Sequence, residues 1–133
     1  MLVCDKCFRP KCNCNSNSKI EIDDRITEHI RILNEKGYTT EFCCSGHKEN
    51  QIFQCYVLFK NQEHFLDLPK DFTLYNRGKQ KKNRLLEFVD KKWNKKSDSS
   101  KDLTMETVWN NLYTWCLKLP NKNEMEKEWI GNI

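Results

Sequence analysis

The sequence predicts an α+β fold: a two-layer sandwich with a mostly antiparallel sheet of about four strands, two main helices and an N-terminal zinc-knuckle-like segment. Three observations carry this. Two stretches place apolar residues at helical spacing, four shorter stretches are rich in aromatic and β-branched residues, and residues 1–18 have neither pattern. A chain of 133 residues is one domain by ordinary size. It divides into a cysteine-rich segment, 1–18, and a single α+β domain, 19–133.

Ile22, Ile26, Ile30 and Leu33 fall on one helical face and predict a helix over about 23–36, with Asp23 or Asp24 as its cap and Gly37 as its stop. His29 lies at the edge of that stripe and reads as a boundary residue. Tyr38–Cys44 reads as a strand, and "SGHKEN" is turn chemistry. The near-continuous apolar run at 51–60 suits a central strand. A proline break precedes a short strand near 72–76. The Gly78 connection and "RLLEFVD" complete a long hairpin, although Leu86, Val89 and Trp93 also fit helical spacing. Residues 95–102 read as a linker. Leu103, Val108, Leu112, Trp115, Cys116 and Leu119 trace a second helix, stopped by Pro120, and a short helix around 123–130 could follow.

Composition narrows the class. An aromatic share of 11%, with four tryptophans, argues against disorder. No apolar run approaches membrane-helix length, and the N-terminus lacks a signal-peptide hydrophobic stretch, so a cytosolic protein is expected. In that setting eight cysteines are reduced thiols or metal ligands. Charge is uneven: residues 77–96 carry +7, against +4 for the whole chain. Such a block is either a phosphate-binding surface or a solvated lysine-rich face.

Cys4, Cys7, Cys12 and Cys14 read as CxxC-x4-CxC. Thiolates are soft ligands, and four complete a tetrahedral zinc shell. Lys6, Arg9 and Lys11 would offset its negative charge. Metal would also order a segment too polar to fold by burial, as it does in small fingers at roughly 10–16 kcal/mol. The tight Cys12-x-Cys14 pair leaves room for Cys43, Cys44 or His47 to replace one ligand. Disordered free thiols are the alternative. A closed shell has no open position, so the zinc would be structural.

"TTEFCCSGH" holds the second candidate site. Cys43 and Cys44 alternate across a strand, so one should be buried. Ser45 and Gly46 can form a concavity of backbone N–H groups for an anion, and His47 can donate to it or titrate near neutral pH. Three readings compete: a Cys–His nucleophilic pair, a second metal site with Cys55, and a plain strand–turn–strand. The ligand-binding reading takes Cys44, Ser45, Gly46 and His47 as a pocket floor, and Arg77, Lys79, Lys81 and Lys82 as a phosphate clamp. His64 reads as solvated.

"ILNEKGYTTEFCCSGH" also resembles the signature of the wybutosine-synthesising tRNA methyltransferase family that performs the N4-methylation step. The matching residues are Leu33, Asn34, Thr39, Thr40, Cys43, Cys44, Ser45 and Gly46, within residues 26–60. His47 stands where the family carries Arg. The resemblance implies an α+β fold, a ligand pocket at the Cys-Ser-Gly turn, and S-adenosylmethionine as cofactor if methyl transfer is retained.

Three functions follow. The first is a zinc-bearing protein that binds nucleic acid or a nucleotide. The second, implied by the resemblance, is an RNA-modifying methyltransferase relative. The third is an interaction module whose C-terminal helix docks a partner through Trp109, Trp115 and Trp129, residues that a core would also use. No carboxylate pair, phosphate loop or zinc-hydrolase motif supports another reaction class.

Overall fold

A computed structural model describes residues 1–9, 11, 14, 18–22 and 24–122. The expected helix at 123–130, Trp129, Cys12 and the capping candidate Asp23 lie outside these residues. The architecture is the expected α+β one. A four-stranded antiparallel sheet is formed by β3 (Thr40–Cys44), β4 (Phe53–Phe59), β5 (Thr73–Arg77) and β6 (Asn83–Asp90), in the order β3-β4-β6-β5. Helices α1 (Thr27–Glu35) and α2 (Asp98–Lys118) supply the second layer. A ribbon of β1 (Leu2–Cys4) and β2 (Lys19–Glu21) precedes them, so the division at residue 18 runs between two paired strands. Among the described residues no helix is long and apolar enough to cross a membrane.

The core lies between the sheet's inner face and the helices. Strand β4 alternates strictly: Phe53, Cys55, Val57 and Phe59 are fully buried, while Gln54, Tyr56 and Leu58 point the other way. Leu86 of β6 joins them, with Ile26, Ile30 and Leu33 from the first helical stretch and Met105, Val108, Leu112, Trp115 and Cys116 from α2. Leu103, expected on the α2 core face, is exposed. It sits in the first turns of α2, at the rim of a surface cavity it shares with Lys70, Asp71 and Phe88.

Helix boundaries follow local chemistry. Helix α1 starts at Thr27 rather than near 23, because Asp24 pairs with the Met1 ammonium at 2.8 Å and leaves the helix without a side-chain cap. It stops at Gly37, which has φ +96°. Gly37 N–H donates to the Asn34 carbonyl and Tyr38 N–H to the Leu33 carbonyl, the two bonds of a Schellman stop. Helix α2 begins inside the stretch read as a linker. Ser97 accepts the Ser100 N–H at 3.2 Å as its N-cap and Asp98 occupies the first turn, so "SDSS" is a helix start. At its far end the Lys36 ammonium donates to the carbonyls of Cys116, Leu117 and Leu119 at 2.7–2.8 Å, where a cation suits the helix dipole.

Candidate functional site

The cysteine lobe is a built structure. Cys4 closes β1, its N–H donates to the Arg9 carbonyl, and its own carbonyl accepts the Phe8 N–H. That bend brings the Cys4, Cys7 and Cys14 sulfurs within 4.8 Å of one another. Zinc–sulfur bonds of about 2.3 Å set tetrahedral thiolates roughly 3.8 Å apart, so small adjustments let three sulfurs share one ion. The Lys6 N–H points at the Cys4 sulfur at 3.4 Å, a dipole that favours the thiolate a metal needs. The cluster could therefore hold a metal ion. Cys12 lies outside the described residues, and Cys43, Cys44 and His47 are not part of the cluster. Val3 and Phe8 pack on the core and Arg9 pairs with Glu35, which fixes the lobe against α1.

The Cys-Cys-Ser-Gly-His turn is pinned by two indoles. Trp109 Nε1 donates to the Ser45 carbonyl at 2.9 Å, and Trp93 Nε1 donates to the Lys48 carbonyl at the same distance. Trp93 is fully buried and stacks on Phe53 at 4.6 Å. Gly46 has φ +99°, and a Cβ there would lie 2.2 Å from the Phe53 ring. Glycine is thus required for conformation and for space. The turn departs from the expected pocket floor in two ways. Ser45 is fully buried and Gly46 is buried too, so neither lines a cavity. Neither Cys43 nor Cys44 is fully buried. Cys43 turns inward against the core edge, while Cys44 faces outward opposite Tyr56.

His47 does line a cavity. A depression of about 340 Å³ is bordered by Cys44, His47, Asn50, Gln51, Ile52 and Gln54. His47 Nε2 lies 3.7 Å from the Cys44 sulfur, and His47 Nδ1 lies 3.8 Å from a Glu49 carboxylate oxygen. The Gly46 N–H also points at the Cys44 sulfur, at 3.4 Å. Burial, and then negative charge on the Cys44 and Cys43 sulfurs, pushes the Tyr56 phenol above its ordinary range.

The sheet's outer face is the feature that the sequence reading did not resolve. Cross-strand pairing sets Phe42, Leu58, Leu85 and Tyr75 in one row over all four strands. Cys44, Tyr56, Glu87 and Thr73 form the next row. Phe42 is 63% exposed and Tyr75 44%, and Leu85, although shielded by its neighbours, stands outside the core cluster. The alternation of β4 is the signal that could have found this face. Tyr56 and Leu58 masked it, because apolar residues on both faces read as a fully buried strand.

At one end of this face stands the β5–β6 connection. Arg77, Lys79, Lys81 and Lys82 are all exposed, and no carboxylate of the described residues forms an ion pair with them. Gly78, Gln80 and Lys81 all have positive φ, which folds the connection into a compact knob. The Gln62 amide donates to the Lys81 carbonyl, and Asn83 Nδ2 donates to Glu41 at 2.9 Å and to the Lys60 carbonyl at 3.2 Å. The cations are therefore mounted on the sheet rather than hanging from a loose loop. His64 is exposed as expected. His29 is not a boundary residue: it is buried, with Nε2 donating to the Trp109 carbonyl at 2.8 Å. Trp109 and Trp115 spend their faces on the core and their N–H groups on the carbonyls of Ser45 and Asp67.

Comparison of the chain with protein-family models, curated proteins and solved structures gives no match. The residues that carry the methyltransferase resemblance have local roles. Leu33 is core, and Asn34 ties α1 to β3 by donating to Thr40 Oγ1 at 2.9 Å and accepting the Thr40 N–H at 3.2 Å.

Proposed function

We propose that the chain is a zinc-stabilised protein that binds single-stranded nucleic acid across the outer face of its sheet. The observation that carries this is the row Phe42–Leu58–Leu85–Tyr75, with its end residues Phe42 and Tyr75 exposed, beside four cations that pair with no carboxylate of the described residues. An open sheet face with aromatics offers every base a stacking surface, and mounted lysines and arginines meet the phosphates. Three strand spacings make the row about 14 Å wide, room for two or three bases. Phe42, Tyr56 and Tyr75 would stack bases; Arg77, Lys79, Lys81 and Lys82 would hold the backbone. The zinc, on Cys4, Cys7, Cys14 and Cys12, would order the lobe and take no part in binding.

The test is anisotropy of a labelled single-stranded RNA over a salt series. Binding at low salt is expected, with a log–log slope that falls by roughly 0.7 for each phosphate contact removed. Neutralising Arg77, Lys79, Lys81 and Lys82 together should weaken binding and flatten that slope. An unchanged slope would make the knob a solvated face and overturn the reading. Elemental analysis of protein purified without chelator should find about one zinc per chain, one ion per closed shell; a metal-free, folded lobe would remove the zinc assignment alone.

A further inference from the structure

We propose that Cys44 is a thiol-exchange site that takes low-molecular-weight disulfides, with His47 as its base. Seven of the eight cysteines are among the described residues. Cys4, Cys7 and Cys14 belong to the metal cluster. Cys55 and Cys116 are fully buried, and burial pushes the Cys116 thiol up to about 12, where it is inert. Cys43 is half-buried like Cys44 and borders a different cavity, but its side chain packs against the core. Cys44 is partly exposed, borders a cavity and has an imidazole at its sulfur.

The surroundings set a base beside the sulfur and leave it accessible. His47 Nε2 at 3.7 Å can take the thiol proton. The Gly46 N–H, at 3.4 Å, points its dipole at the sulfur. Glu49, with a carboxylate oxygen 3.8 Å from Nδ1, puts a negative charge near the imidazolium that results. The two tryptophan bonds to Ser45 and Lys48 keep the turn, and so the pair, from rearranging. The cavity is lined by the amides of Asn50, Gln51 and Gln54 beside Ile52, groups that can hydrogen-bond a small peptide-like disulfide. A shallow, wet site of this kind suits thiol–disulfide exchange, which needs no oxyanion hole and no exclusion of water.

The step is balanced without another reagent. The Cys44 proton passes to His47 Nε2. The thiolate attacks one sulfur of the incoming disulfide, a new S–S bond forms to Cys44, and the original S–S bond breaks. The departing thiolate leaves with the proton held by His47. The small disulfide is reduced to one thiol and one mixed disulfide on the protein. Because Cys44 lies beside Tyr56 in the outer-face row, such a group would cover part of the sheet face. The exchange chemistry itself does not depend on nucleic-acid binding.

The experiment uses the full chain, zinc-loaded, incubated with glutathione disulfide and followed by intact mass and peptide fragmentation. Single coupling at Cys44 is expected, retained in Cys43→Ser and lost in Cys44→Ser. His47→Gln leaves the sulfur in place and should slow coupling about tenfold or more by removing the base that takes the thiol proton. Glu49→Gln should slow it less. Circular dichroism of each variant separates lost chemistry from lost fold, and the His47→Gln rate decides the matter even if Cys44→Ser is unstable. Coupling at Cys43 as fast as at Cys44, or no change in His47→Gln, would overturn the proposal. So would a Cys44 that reacts only after chelation, since that outcome makes the pair a metal site.

Discussion

The two faces of the four-stranded sheet share every backbone hydrogen bond and differ in what covers them. The inner face carries Phe53, Cys55, Val57, Phe59 and Leu86, all fully buried under two helices. The outer face carries residues of nearly the same chemistry, Phe42, Tyr56, Leu58 and Tyr75, with no helix of the described residues layered over them. Apolar content is therefore not what distinguishes core from surface here. Packing is: the inner residues are stabilised by partners within this chain, and the outer ones keep their apolar area available for something else. Exposed aromatic surface on a sheet costs solubility unless it has a use.

Adjacent residues of β6 give the sharpest way to break this comparison. Leu86 is fully buried on the inner face, and Leu85 is its neighbour on the outer one. Leu86→Ala should destabilise the fold by about 2–5 kcal/mol through lost transfer energy and a cavity. Leu85→Ala should cost less, because Leu85 stands outside the core cluster. Denaturant midpoints check both. Equal losses would mean that the outer face is covered as firmly as the inner one.

The turn that joins the faces comes next. Gly46→Ala would force an L-residue to φ +99° and drive a Cβ into the Phe53 ring. Overpacking costs about 1–3 kcal/mol and left-handed backbone roughly 1–2 more. The expected result is a loss of about 2–5 kcal/mol, with Trp93 fluorescence displaced, since Trp93 stacks on the same ring. A neutral variant would mean that the turn is free to move and that the two indole bonds do not fix it.

Tyr56 tests the outer face directly. Tyr56→Ala should leave the melting transition nearly unchanged yet weaken single-strand RNA binding by about 1–3 kcal/mol, the range for one stacked base. Lost stability with unchanged binding would assign Tyr56 to packing and remove the stacking role.

These contrasts also measure what the sequence made legible. The four sheet strands and both helices were readable because helical spacing and strand-length apolar runs are local signals. The Gly37 stop and the Gly78 hairpin were readable for the same reason. The start of α2 was missed because serine and aspartate serve equally as linker residues and as N-cap chemistry, and Ser97 here is a cap. The ribbon of β1 and β2 was missed because its strands are three residues each and pair over a polar, cysteine-rich loop. Its order comes from backbone bonds and from the burial of Val3 and Cys4, side chains too few to give a local signature. At the site, the spacing of Cys4, Cys7 and Cys14 was informative, because ligand chemistry is written in spacing. Ser45 misled: residue type suggested a ligand contact, but two distant tryptophans decide the turn's orientation, and contacts between residues far apart in the chain leave no local signature.

The smallest expected effect lies inside the helix layer and concerns His29. Its Nε2 donates to the Trp109 carbonyl, while its buried Nδ1 has no hydrogen-bond partner. Burial pulls the imidazole below its ordinary 6.5, against the opposing pull of the Trp109 carbonyl and of Glu28. The sign follows from proton counting. Just below 6.5 the unfolded chain takes up a proton that the folded chain refuses, so stability is full above that pH and falls as pH drops toward the depressed folded value. The slope cannot exceed about 1.4 kcal/mol per pH unit for one proton. His29→Gln can still donate to Trp109 but cannot titrate. Urea midpoints measured from pH 7.5 to 5 should therefore fall more steeply in the parent than in the variant, the difference isolating His29 from the exposed His47 and His64. Parallel curves would mean that His29 is charged in the folded protein, and that the covered layer admits the water which the outer face meets openly.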